Sequence, residues 1–288
     1  MSRTIENIKN EVDDQLHKAI YSNSNSIQFH PIRIIQALKS LIGIDIENPS
    51  VKLVDWGKSY LEKQDVLPED YFRYSIQKPK ETIVISNLSK QISDQNRSKA
   101  TLELQDLCSV SDGNQIFEYM IEFSLKHDTY FIPFLWSSYR SNIFLKNKYT
   151  YPLLKSSIDM ILDNNNCSNE LSGLSSIEYK CIIESIKNAP LVRHGKIISH
   201  LDDFRIDDNV FYNKLTSNRI DVIRYGRIAI LNYLNSLNID CISKEMILLL
   251  DSFRMAFKDL SDDNNKKNLN NMMNYIIKNE LYNVEKNW

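Results

Sequence analysis

The chain has 288 residues, 42% of them hydrophobic and 25% charged, with a net charge of -2, six glycines and seven prolines. This is the composition of a folded protein of one large or two smaller domains, without a global field drawing it to nucleic acid or an anionic membrane. So few glycines argue against all-β folds and against α/β folds built on glycine-rich loops.

Residues 4–21 place Ile5, Ile8, Val12, Leu16 and Ile20 on one helical stripe, which the polar run 22–26 ends. Pro31 opens a helix carrying Ile34, Ile35, Leu38, Leu41 and Ile42, and Gly43 sits where a C-terminal cap glycine belongs. Asn48-Pro49 reads as the cap and first turn of a helix over 49–63. Pro68-Glu69-Asp70 predicts a short aromatic helix from Tyr71 to Ile76. Over 82–94 the β-branched start favours a strand. Ile85, Leu88 and Ile92 nevertheless keep helical spacing and no partner strand is evident, so a helix is predicted. Residues 98–109 follow as a helix with Leu102, Leu104, Leu107 and Cys108.

The stretch 111–145 holds much of the apolar material and is expected to be the centre of the molecule. Ser111 and Asp112 are candidate N-caps for a helix whose buried side carries Ile116, Met120 and Phe123, and Lys126-His127-Asp128 suits its carbonyl end. A second helix begins near Pro133, and Phe131, Phe134, Leu135, Trp136, Tyr139, Ile143 and Phe144 make it apolar on most sides, as buried helices are. Glu118, Glu122, Lys126, Asp128 and Arg140 interrupt the run too often for a membrane span.

Pro152 opens another helix, and the polar cluster 163–174 is the clearest break in the chain. Beyond it Ser175 and Glu178 form a capping box, helices are predicted over 191–204, 208–215 and 219–236, and Ser243 caps a helix whose Leu248-Leu249-Leu250 run predicts deep burial. The Asn-rich tail carries a weaker helix around Leu269 and Ile276. The prediction is an all-α, irregular multi-helix array of antiparallel helix pairs, with a HEAT-like stack as one form of it. It is divided into an N-terminal lobe over 1–164, which contains the aromatic hairpin, and a C-terminal lobe over 175–288, unless the two are continuous. No residue pattern recurs with the helix pairs.

Cys108, Cys167, Cys181 and Cys241 form neither a CxxC pair nor a zinc-ligand set, and the polar N-terminus lacks the apolar core of a signal peptide. A cytoplasmic setting with free thiols is expected.

Three polar groupings could carry chemistry. If the helix after Leu191 runs on to Asp207, then His200, Asp203 and Asp207 share one face and could hold magnesium or manganese. The bland alternative is a solvated helix end followed by an Asp cap. Asp259, Asp262 and Asp263, taken with Asp203 and Asp207, resemble over a few residues the paired aspartate motifs of helical prenyl-transfer enzymes. That resemblance implies magnesium on a diphosphate, although the two sets lie close together for that fold. His127-Asp128 could belong to a metal phosphohydrolase, but its upstream partners His17 and His30 are distant, and a cation at a helix end explains it.

Tyr130, Trp136, Tyr139 and Arg140 have the composition of a binding hot spot, and equally that of a core, where Arg140 would need a carboxylate such as Glu118 or Glu122. No phosphate loop, nucleophile elbow or HExxH motif is present. The expectation is therefore a non-enzymatic protein-binding protein of adaptor, scaffold or immunity/inhibitor type, without a cofactor. The alternative is a helical metal-dependent enzyme acting on a phosphate or diphosphate substrate.

Overall fold

The computed structural model describes residues 3–24, 26–68, 70–74, 82–164, 182 and 230–259. Regular structure among them is helical: α1 (Ile5–Ile20), α2 (Pro31–Ile42), α3 (Val51–Leu61), α4 (Ile85–Ser93), α5 (Arg97–Val110), α6 (Asn114–His127), α7 (Ile132–Phe144), α8 (Thr150–Asn164) and α9 (Lys244–Asp259). Residues 230–236 are also helical. No strand forms among the described residues; an isolated antiparallel bridge joins Ser22 to Val66. The chain is an all-α multi-helix array, and no helix among the described residues is long and apolar enough to cross a membrane.

The central element is α2. His30 caps it by accepting from the Ile32 amide at Nδ1, Pro31 supplies the first turn, and Ile32, Ile34, Ile35, Leu38 and Leu41 are buried on every side. Each such side chain contributes about 1.5–3 kcal/mol on leaving water. Among the described helices, α1, α3, α7 and α9 pack around α2, while α7 lies between α2, α6 and α8. The 111–145 hairpin forms as expected, with α6 against α7, but it shares the centre with α2 and is not the hub itself.

Small polar side chains let these helices approach. Ser137, Ser138 and Ser141 of α7 and Ser156 and Ser157 of α8 are buried, and the Ser137, Ser141 and Ser157 hydroxyls return to carbonyls one turn back. Gly57 of α3 serves the same end: a Cβ there would stand 2.4 Å from both Gln15 Oε1 and Leu38 Cδ2.

Several local expectations change. The cap of α3 is Ser50, which accepts from the Leu53 amide, and Asn48 instead closes a turn on Asp45. Gly43 ends α2 with φ -73°, so no left-handed residue is used there. Residues 70–73 make turns rather than a helix, through bonds from Tyr71 to Pro68 and from Arg73 to Asp70. The β-branched start of 82–94 is the extended entry to α4, with Val84 in β conformation. Ser111 and Asp112 bend the chain by accepting from the amides of Gly113 and Asn114, and Gly113 itself caps α6 at φ +89°.

The segment 230–259 joins the N-terminal helices directly. Lys52 of α3 donates to the carbonyls of Leu234 (2.5 Å) and Leu237 (2.8 Å), capping that helix end from outside. Trp56 Nε1 donates to the Ile242 carbonyl at 2.9 Å. Ser243 caps α9 as predicted, and Leu248, Leu249 and Leu250 are buried.

Candidate functional site

A charge on α7 meets a charge on α9 inside the fold. On α7, Arg140 follows a buried run; on α9, Asp251 follows Leu248, Leu249 and Leu250 and is 3% exposed. Arg140 Nη1 donates to Asp251 Oδ2 at 2.8 Å, and Arg254 Nε, one turn along α9, donates to Asp251 Oδ1 at 2.7 Å. Burial pushes the Asp251 carboxyl upward, but the two guanidinium groups outweigh it and hold it below the usual carboxylate value.

Arg140 also reaches α2, where Nη2 donates to Ser40 Oγ at 2.6 Å. Gln36 lies one turn before Ser40 and joins the network by donating to Ser40 Oγ and accepting from Ser141 Oγ. The buried polar seam therefore runs continuously from α2 through α7 to α9, and each charge in it is paired. The carboxylate that Arg140 requires comes from α9, not from Glu118 or Glu122 of α6.

Arg140 and Arg254 end in the wall of a groove of about 570 Å3 beside α1, α2, α7 and α9. Its apolar lining includes Ile8, Val12, Ile42 and Phe144, and its rim includes Ile5 and Ile46, which are 53% and 69% exposed. Lys9 and Lys39 complete the charged lining, with Lys39 Nζ 4.4 Å from the centre of the Phe144 ring. Among the described residues, those lining this groove comprise four cations and no carboxylate.

A larger cavity, of about 650 Å3, lies beside α1 and α3, but Lys18, Lys58 and Glu62 give its lining mixed charge and no convergent group. A third polar cluster forms around Asp159, which accepts from Tyr71 at 2.6 Å and from Arg97 at 2.8 Å and pairs with Lys155. Burial and that bond raise the Tyr71 hydroxyl pKa, so the proton stays on the ring oxygen. Arg97 also pairs with Asp163. The charges there are matched, and the cluster clasps the 70–74 turn to α5 and α8.

Of the predicted hot spot, Trp136 and Tyr139 are buried and stacked on each other with ring centres 5.6 Å apart, and Tyr139 meets Phe117 edge-on. Tyr130 lies apart in the short 3-10 turn Thr129–Phe131, its ring near Phe131. Arg140 alone lines the groove. Asp128 caps that turn by accepting from the Tyr130 amide, and His127 packs on Phe123. Burial drives the pKa of His30 down to about 3, so it caps α2 as a neutral imidazole. His200, Asp203, Asp207, Asp262 and Asp263 lie outside the described residues, and of Asp259 only the helical backbone is described. Among the described residues no group of three His, Cys, Asp or Glu could hold a metal ion.

Asp251 and Arg254 were not anticipated. Their signal was an aspartate set directly after three leucines on a helix bound for the core. Comparison with models of known families, with curated proteins and with solved structures finds no match.

Proposed function

We propose that the protein is a non-enzymatic interaction protein that holds a segment of another protein in the groove beside α1, α2, α7 and α9. The observation that supports this is a concave apolar surface that stays open at the rim. Ile5 continues the stripe of α1 beyond the core and is 53% exposed, and Ile46 across the groove is 69% exposed. Exposed aliphatic side chains grouped at a rim are the mark of a docking surface. The described residues lining the groove include no His, Cys, Asp or Glu, and the Ser40 hydroxyl is engaged by Arg140, so among them no hydroxyl or thiol nucleophile stands beside a base. An adaptor, a scaffold and an inhibitor all fit such a surface.

The test is site-specific photocrosslinking in the producing cell. A photoreactive phenylalanine analogue at Ile46 is expected to yield one discrete protein adduct. The same probe at Val110, which is exposed on α5 and does not line the groove, should not yield that adduct. The reading fails if neither position gives an adduct, or if both give the same one.

A further inference from the structure

We infer that the segment taken by the groove is an acidic one, with an aliphatic anchor on the apolar wall and carboxylates at Arg140 and Arg254; this rests on the docking reading above. The chain as a whole carries a net charge of -2, so four cations lining one groove are a local concentration and not a share of a general excess. Asp251, behind the wall, offsets part of that charge, as Asp13 does beside Lys9, and among the described residues the cations still outnumber these carboxylates.

The two arginines differ from surface cations in being held beforehand. Asp251 fixes both, Ser40 fixes the second arm of Arg140, and the side chains are 16% and 11% exposed. Binding a carboxylate there orders little that is not ordered already, and partial burial strengthens the attraction. Only the Nε–H of Arg254 is given to Asp251, and the rest of its planar fork suits a carboxylate. Lys9, exposed on α1, adds attraction at longer range. A nucleic acid is a poorer match, because a phosphate backbone needs a stripe of cations and not a short groove walled by isoleucine.

The experiment pans a random peptide display library on the full chain and measures the selected peptides by fluorescence anisotropy. The expected peptides pair Asp or Glu with Leu, Ile or Phe. Replacing their acids by Asn or Gln should weaken binding about tenfold or more, as should Arg254→Gln, and Arg254→Lys should recover part of the loss. Lys9→Gln, at an exposed site away from Asp251, should weaken binding without moving the urea midpoint, which covers the case in which Arg254→Gln unfolds. If selected peptides lack acids yet lose binding in Ile46→Ser, the groove docks proteins by apolar contact alone; this inference falls and the docking reading stands. If no peptide is enriched, both fall. A dimer by sedimentation that Ile46→Ser dissolves, or decanoate binding without any peptide, would give the groove to a second copy or to a free amphiphile and would equally overturn the inference.

Discussion

Asp251 is an ion in an apolar setting, and its worth is best read from what its loss would leave behind. In Asp251→Asn, Arg140 and Arg254 would keep their charge at 16% and 11% exposure without their counter-ion. Breaking a buried pair on one side costs about 3–5 kcal/mol, and the urea midpoint should fall accordingly. His30 acts through protonation. Its folded pKa of about 3 lies below the ordinary 6.5, so the folded state disfavours the imidazolium. The stability His30 contributes is complete above pH 6.5 and is lost as pH falls toward 3, by up to about 1.4 kcal/mol per unit. Denaturation curves across that window should show the decline, and His30→Asn, which keeps a capping side chain, should flatten it. Arg140 and Asp251 also mark what the sequence disclosed and what it withheld. Each stands out as a charge within an apolar run, and a charge so placed demands a partner. Spacing cannot say which distant helix provides it, because that pairing spans 111 residues and is set by how α7 and α9 lie against α2.

Among the described residues, the helices that formed were legible to within a turn, because an amphipathic stripe and a capping residue are both local signals; those predicted over 191–204, 208–215 and 269–277 lie outside the described residues. The differences between pattern and structure lie at entries and exits. Ser50 displaced Asn48 as a cap, the 70–74 segment turned without coiling, and Ile5 belonged to the stripe of α1 yet fell past the edge of the core. The groove arises from that last mismatch, since a helix longer than the surface it covers leaves apolar side chains in the open. The crossing of α1, α2 and α3 at Gly57 is closer than any sequence pattern indicates. Gly57→Ala should cost about 1–3 kcal/mol through overpacking against Gln15 and Leu38. A parallel drop in thermal and urea stability, with helical circular dichroism unchanged, is the expected outcome. Lys52→Met removes two bonds to carbonyls that no helix turn follows, and faster amide exchange over 234–242 should accompany a loss of about 1 kcal/mol.

For the molecule as a whole, the described residues share one core. Ile230, Leu234 and Phe253 belong to the same buried cluster as Leu16, Leu38 and Phe134. Unfolding of the described helices followed by tyrosine and tryptophan signals should therefore be a single transition. On the docking reading, its midpoint is expected to be indifferent to magnesium, manganese and EDTA. A metal-dependent rise abolished by Asp203→Asn would instead favour the metal-enzyme alternative.

The bond from Trp56 to the Ile242 carbonyl also gives the fold a built-in optical gauge. The Trp56 indole lies nearly parallel to the Tyr60 ring, at 5° between planes, while its nitrogen is anchored on the strap that leads into α9. Were α9 to lift from α2, this indole would gain water and shift its emission to the red. Traffic between the two ends of the chain could then be timed in solution with no dye attached.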